Sequence, residues 1–278
     1  MIILNLGAGI QSTTVLLLSM HGELPKIDHA IFADTQWEPK EVYTHLEWLE
    51  SISTVPVHRV TKSNIKQDAL ESQVRGKKTE TGRWASLPYY TMDKYGNKGM
   101  IRRQCTSEYK IYPIEKYIRR EILNLKPRQH IPKGTMIDQW FGISGDELRR
   151  VRASKDHWRR FCYPLVGIPD NYLGAGWTRQ MCIQWLGENY PDHQVPRSAC
   201  IGCPFHSNAE WGRLKDKSPE EWQGVVEFDR KIRKCGGVRG DIYLHRDCVP
   251  LDKVDLRTAE DAGQLNMFRE ECMGMCGV

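Results

Sequence analysis

The sequence predicts an α/β fold, a doubly wound and mostly parallel sheet with a helical, cysteine-containing C-terminal region. Two observations carry that prediction. Through residues 1–195, short apolar runs alternate with stretches of helical periodicity, at the spacing of strand-helix-strand crossovers. From residue 196 to 278 the chain changes to short helices, glycine turns, closely spaced cysteines and a tail. The expected division is therefore an α/β domain over 1–195, with a basic insertion at about 73–104, and a separate C-terminal region over 196–278.

The elements follow in order. Met1 to Leu6 is a short Ile- and Leu-rich run read as a buried strand, and Ser12 to Met20 repeats apolar residues at helical intervals. The turn between them is NLGAGIQSTT. It leaves the first N–H groups of the helix unpaired at the positive end of the macrodipole, where an anion fits. Gly7 and Gly9 can take positive φ and have no side chain to keep a phosphate from the backbone, while Ser12 or Thr13 can cap the helix or donate to the anion. The same turn also serves an α/β protein with no ligand, and these residues alone leave both readings open. Ile27 to Ala33 reads as a second strand ending at Asp34 and Thr35, where Asp34 suits a ribose or a metal ion, or simply a turn. Glu38 to Ile52 reads as a helix with Pro39 in its first turn and Val42, Leu46 and Leu49 as its apolar stripe. Val55 to Val60 supplies a third strand. Both polar turns lie at carboxyl ends of strands, where ligands of such sheets collect. TSEYKIYPIEKYIRREIL is a further helix, MIDQWFGIS a strand, Tyr163 to Leu165 a loop, and TRQMCIQWLGENY a helix. Beyond these come two short helices, NAEWGRLK and PEEWQGVVEFDRKIRK, a turn at CGGVRG and a short YLHR.

The chain has 278 residues, with 40 Lys and Arg against 35 Asp and Glu, and the excess is concentrated. Arg75, Lys77, Lys78, Arg83, Lys94, Lys98, Arg102 and Arg103 face only Glu80 and Asp93 between Val74 and Gln104. Trp84, Tyr89, Tyr90 and Tyr95 are interleaved with them, a composition that suits phosphate contacts and base stacking, or else a solvated loop with a few buried aromatics. The segment is read as a long loop or small insertion. No apolar run approaches the roughly 20 residues that span a bilayer, and no cleavable signal precedes the first strand, so a cytoplasmic protein without a membrane partner is expected. Nine cysteines in such a chain argue against a disulfide framework. Cys162, Cys182, Cys235 and Cys248 stand singly, whereas Cys105, the pair Cys200 and Cys203 in ACIGCPF, and Cys272 and Cys276 in ECMGMCGV are candidates for chemistry.

Taken in order, these pieces resemble one family, the phosphoadenylyl-sulfate reductase branch of the PP-loop ATP pyrophosphatases, or adenine nucleotide alpha hydrolases. Its opening strand, S-G-G-x-D-S/T turn and helix correspond to Gly7, Ala8, Gly9, Ile10, Gln11, Ser12 and Thr13, with Gly7 in place of Ser and Gln11 in place of Asp. Asp34 and Thr35 with Glu38, Pro39 and Glu41 resemble its second-strand signature, which meets the adenine. QCTSEYKIYPI resembles its Cys-x4-Lys-x2-Pro-Leu segment through Cys105, Lys110, Pro113 and Ile114. The strand ending at Phe141, Gly142, Ile143 and Ser144, followed by Asp146, Glu147, Arg149 and Arg152, resembles a further family strand, and YPLVGIPDNYLGAGWTRQMCIQWL its Tyr-Pro-Leu and Trp-Thr segments. The resemblance covers roughly residues 1 to 206 and, as an ordered series, is more specific than any one motif.

The resemblance implies an adenine-nucleotide-using, sulfur-handling enzyme. ATP or an adenylyl sulfate would be held by Gly7, Ala8, Gly9, Gln11, Ser12, Thr13, Asp34, Thr35 and Gly142, with Arg149, Arg150 or Arg152 on the phosphate or sulfate. Cys105, Cys200 and Cys203 match three of the four ligands of a family [4Fe-4S] cluster, and Gln104 occupies the place of the other. The fourth iron would be open or held by another residue such as Cys272 or Cys276. Zinc is the competing metal, completed by His206 or the tail, and inert thiols a third reading. The terminal Cys272 and Cys276 resemble the family's catalytic tail cysteine or serve as ligands. Two reactions follow, an ATP- and Mg²⁺-dependent sulfur transfer to a nucleic acid or nucleotide, or an adenylyl-sulfate reduction that needs a thiol reductant such as thioredoxin; a homo-oligomer is compatible with either. A zinc-organised nucleic-acid-binding module without catalysis is the non-enzymatic alternative.

Overall fold

The computed structural model describes residues 1–75, 87–174, 176–234 and 240–258, with the backbone alone for 72–75. Cys235, Cys272, Cys276 and the basic residues Lys77, Lys78 and Arg83 lie outside the described residues. In chain order the elements are β1 (Ile2–Leu6), α1 (Ile10–Met20), β2 (His29–Ala33), α2 (Lys40–Ile52), β3 (Val57–Val60), α3 (Ile65–Arg75), β4 (Tyr90–Met92) and β5 (Lys98–Met100). A π-helical stretch (Thr106–Ile111), α4 (Tyr112–Tyr117) and a second π-helical stretch (Ile118–Ile122) follow, then β6 (Ile137–Phe141) and a 3₁₀ turn (Gly145–Arg150). The chain goes on through β7 (Arg159–Cys162), α5 (Arg179–Asn189), α6 (Asn208–Lys217), α7 (Pro219–Ile232) and β8 (Asp241–Tyr243).

The main sheet has the order β3-β2-β1-β6-β7, and every pairing in it is parallel. Leu4 lies beside Ala30 on one side and Trp140 on the other. The strands alternate between two buried faces, as period-2 geometry requires. Leu4, Leu6, Ala30 and Phe32 pack with Val15 to Leu18 of α1, Val42, Leu46 and Leu49 of α2, and Leu186 of α5. Ile3, Ile31, Ala33, Val60 and Ile137 pack on the opposite face with Ile114, Ile118 and Trp158. The expected doubly wound α/β sheet is therefore present. Its strand order reverses direction about β1 and β6, and the crevice outside the carboxyl ends of those two strands is where such folds bind ligands.

A second core gathers Ile65 and Ala69 of α3, Trp211 of α6, Val225, Val226, Phe228 and Ile232 of α7, and Trp37, Tyr89, Tyr109, Ile201, Ile242 and Leu244. Its sheet is antiparallel, in the order β5-β4-β8. The segment read as a loop or insertion thus ends in a hairpin, turned at Gly96 (φ +85°) and Asp93, and that hairpin pairs with a strand from the far end of the chain. The helix expected from Thr106 is wider than a regular α-helix at both ends. Pro113 has no N–H to give and its ring crowds the carbonyl four residues back, and the widened turn before it accommodates both defects. No described helix is long and apolar enough to cross a membrane.

Asp229 ties the second core together. It is 1 % exposed, accepts from the N–H groups of Leu244 (3.0 Å) and Leu251 (3.1 Å), and pairs with Arg233. Asp229→Ala leaves two buried donors and a cation unpaired and is expected to cost about 3 to 5 kcal/mol, measured by urea unfolding.

Candidate functional site

The first wall of the site is the turn after β1. Ala8 takes the left-handed conformation (φ +54°), and Gly7 and Gly9, although free to, do not. Gly9, at φ −113°, begins α1, and a side chain there would stand 3.5 Å from Ser198. The glycine at that position therefore lets the loop before Cys200 approach the turn. Ser12 Oγ accepts from the N–H of Gly7 (3.1 Å) and Gly9 (3.4 Å), so one hydroxyl satisfies the donors that a phosphate oxygen would otherwise take.

The second wall is the end of β6. A Cβ at Gly142 would lie 2.5 Å from the Ser12 nitrogen and 2.6 Å from its Cα, so only glycine lets this strand end meet the first turn of α1. Gln11 Nε2 donates to Glu147 Oε2 (3.1 Å) and Ser144 Oγ (3.4 Å), and Ser144 in turn donates to Asp146 (2.5 Å). Gln11 thereby stitches the two walls. Arg150 pairs with Glu147 at 2.6 Å, close to this stitch. Arg149 and Arg152 are exposed, and the Arg152 guanidinium donates to the Arg149 and Val151 carbonyls.

Thr13 is turned the other way. It is fully buried, and its hydroxyl lies 2.9 Å from His45 Nε2, whose Nδ1 is 2.7 Å from His193 Nε2. Trp48 stacks on the His193 ring with centroids 3.6 Å apart. Burial, and then the neighbouring His193, push His45 down to about 3. The neutral pair fixes α2 behind the turn. Sequence reasoning missed His45, because its burial depends on the register of α2 rather than on the apolar stripe of that helix.

The third wall joins the end of β2 to the cysteine loop. Asp34 Oδ1 accepts from the Gln36 N–H (2.7 Å) and the Tyr43 hydroxyl (2.8 Å), so its carboxylate organises the turn. Thr35 donates to Glu38 Oε1 (3.0 Å) and lies 3.2 Å from the Cys200 sulfur. The Cys200 thiol donates to the same Glu38 oxygen at 3.4 Å, and Lys110 Nζ stands 3.9 Å from it. Ile201 N–H pairs with the Trp37 carbonyl (2.9 Å), and a side chain at Gly202 would overlap the Trp37 ring. Cys203 follows in a tight turn, its N–H on the Cys200 carbonyl at 3.0 Å. Desolvation, then the Glu38 carboxylate, raise the Cys200 thiol well above its ordinary value, and Cys105 is near enough to add to this. Glu38 has a fully buried side chain whose Oε2 has no hydrogen-bond partner among the described residues.

The structure thus brings Cys105 and Cys200 within electrostatic reach of each other, with Cys203 one turn on. Among the described residues, however, no three His, Cys, Asp or Glu side chains are gathered into a ready metal cage. The donor set fits a thiophilic metal in kind, with thiols and an orphaned carboxylate oxygen at one strand end. His206 is directed elsewhere: its Nε2 meets the Cys200 carbonyl at 3.0 Å and its Nδ1 is 3.9 Å from Glu210. Cys272 and Cys276 lie outside the described residues.

Two predictions follow from this geometry. Gly142→Ala forces the two walls apart and is expected to cost about 1 to 3 kcal/mol, read by urea unfolding. Unfolded His45 takes up a proton near 6.5, but the folded form does so only near 3, so unfolding free energy falls as pH drops through that window. The slope is up to about 1.4 kcal/mol per pH unit for each such group. His206, which burial first and the Arg197 guanidinium second push down to about 4, contributes over the upper part of the same window. His45→Asn is expected to flatten the profile in part, leaving the His206 share.

No protein-family model matches the chain, and no curated protein matches it significantly. Among solved structures, it is similar to a phosphoadenylyl-sulfate reductase from Candida auris in a phosphate complex, at 11 % identity and a TM-score of 0.41, covering 71 % of this chain and 74 % of that one. An overlap this loose assigns nothing to the chain beyond what its own strand order shows.

Proposed function

We propose that the protein is an adenine-nucleotide-using enzyme of sulfur transfer, of the PP-loop, phosphoadenylyl-sulfate reductase-like kind. One observation carries the reading: the segment from Ser198 to Cys203 reaches from the Gly9 turn, which Ser198 approaches, to the end of β2, where the Cys200 thiol meets Thr35 and Glu38, so a thiol-bearing loop borders the glycine turn. The N–H groups of Gly7 to Ser12 would hold phosphate once Ser12 Oγ swings aside, with Arg150 turning from Glu147 to the same charge. Fixed donors of this kind stabilise charge that develops on a phosphate during adenylyl transfer.

Cys105, Cys200 and Cys203 would hold an iron-sulfur cluster, or zinc as the alternative, and a bound cluster would supply sulfide. In the reaction favoured here, a carbonyl oxygen of the acceptor attacks the α-phosphate of Mg²⁺-ATP and pyrophosphate leaves. Sulfide, where a bound cluster supplied it, would replace AMP on that carbon, with AMP as the leaving group. In this reading the turn after β1 would hold the nucleotide, and Lys110, 3.9 Å from the Glu38 carboxylate, would lend positive charge beside the half-buried thiols. The reductase reading would instead use Cys272 or Cys276 with a thiol reductant such as thioredoxin.

A nucleic-acid acceptor is supported by the β4-β5 hairpin. Tyr95 is 77 % exposed at its tip, Lys94 sits 4.8 Å from the centre of that ring, and Lys98 and Arg102 are exposed nearby in sequence. Tyr95→Ala is expected to weaken single-stranded RNA binding by about 1 to 3 kcal/mol, roughly 5- to 150-fold, in a filter-binding assay at fixed salt. The central test is anaerobic purification with quantification of iron, acid-labile sulfide and zinc, followed by ATP-dependent pyrophosphate release with RNA present. Near-equal iron and sulfide that disappear in Cys105→Ala, Cys200→Ala and Cys203→Ala, together with pyrophosphate release, would support the enzyme. Zinc alone, without ATP binding, would overturn it in favour of a nucleic-acid-binding module.

A further inference from the structure

We propose that Tyr163 is a positioning residue for the phosphate end of the site: its hydroxyl clamps the main chain of Arg152 and so fixes the short turn that carries Arg150. The inference rests on the proposed reading of the turn after β1 and of Arg150 as the place where a nucleotide phosphate is held.

Tyr163 is buried, 1 % exposed, and its ring stacks on Phe141 at the end of β6 with centroids 5.6 Å apart. A phenylalanine ring would fill that space, so packing does not call for the hydroxyl. Both partners of the hydroxyl belong to one residue: it accepts from the Arg152 N–H (3.0 Å) and donates to the Arg152 carbonyl (2.8 Å). Burial pushes the Tyr163 hydroxyl above its ordinary value, so it keeps the proton that this double role requires. Two bonds to one residue fix its main chain in direction as well as in distance. Val151, the residue before it, packs against the same aromatic cluster.

The other end of the turn is held from the same segment. The Leu165 carbonyl accepts from the Trp177 N–H (2.6 Å), and the Trp177 carbonyl accepts from the Gly145 N–H (2.7 Å). The Tyr163 to Leu165 segment thus grips the turn at Gly145 through Trp177 and at Arg152 directly. Between the grips, Arg150 reaches Glu147 at 2.6 Å, and Glu147 accepts from Gln11 on the first turn of α1 (3.1 Å). Arg150 has to leave Glu147 to meet a phosphate. A main chain anchored on both sides lets the guanidinium swing without the turn itself drifting from α1, and a charge preorganised in this way costs less to bring to bear on a ligand. The Arg152 guanidinium, which donates to the Arg149 and Val151 carbonyls, stiffens the turn further.

The test uses the full chain and calorimetric titration with ATP and, separately, with adenosine at fixed salt. Tyr163→Phe is expected to weaken ATP binding about 3- to 10-fold and to leave adenosine binding unchanged. Arg150→Gln also weakens ATP binding, and adding Tyr163→Phe to it is expected to cause no further loss, since the hydroxyl acts through that guanidinium. A second comparison covers the case in which Tyr163→Phe does not fold. Arg152→Pro and Arg152→Ala both lack the guanidinium, but only the proline also lacks the N–H, and Val151 already has the extended conformation (φ −62°, ψ 129°) that a following proline requires. The proline variant is expected to bind ATP about 3-fold or more weaker than the alanine variant. The proposal is overturned if Tyr163→Phe binds ATP as wild type does, if it weakens adenosine to the same extent, if its loss multiplies with that of Arg150→Gln, or if the two Arg152 variants bind alike. Failure of the underlying reading looks different: wild type then binds no ATP, or Arg150→Gln binds it as tightly as wild type, and both ideas fall together.

Discussion

The contact on which the rest depends is the approach of Gly142 to the first turn of α1. Two parallel strands that diverge in their connections leave a crevice at their ends, and here its width is set by a hydrogen atom where any other residue would carry a methyl group. Because the strand end reaches the helix backbone, Gln11 can span to Ser144 and Glu147, and those residues in turn place Arg150. A wider gap would break each of these bonds in sequence. Ala8, left-handed in the turn that leads into this helix, is fully buried in the first core.

A second close approach joins the two cores. The Trp37 ring lies edge-on to Phe228 at 4.6 Å between centroids, and its other surface is covered by Gly202 in the cysteine loop. Position of the thiols is therefore decided by a tryptophan that belongs to the second core, while the strand end that meets them belongs to the first. Such division explains why the thiol loop needs neither a helix nor a strand of its own. It is pinned by one backbone bond, from Ile201 to Trp37, and by the side chains of Thr35 and Glu38.

Much of this was legible in the residues and some was not. β1, β2 and β6 were visible because strands buried on both faces read as apolar runs, and β3, an edge strand, through the valines that alternate along VPVHRV. β7 was not, since Arg159 and Arg160 fill half of it; it is an edge strand whose Arg160 pairs with Asp138 of its neighbour. The β4-β5 hairpin escaped notice because its partner, β8, is remote in sequence and no local pattern records a remote pairing. Within the site, the glycine turn, Gly142 and the cysteine spacing were readable, as their chemistry needs those residue types. Thr13 facing His45 and the burial of Glu38 were not, because each depends on how α2 and the cysteine loop dock on the sheet. Cys272 and Cys276 lie outside the described residues, so their expected roles stay proposals.

The pairing of β4 with β8 carries one more consequence, for the order of events during synthesis. The parallel sheet has all its strands once Cys162 has emerged from the ribosome, and it can condense on α1 and α2 at once. The hairpin must wait for a strand made much later, so its loop-closure entropy is offset only near the end of translation. The nascent protein therefore completes the glycine turn after β1 early, and late the second core, whose Trp37 seats the cysteine loop.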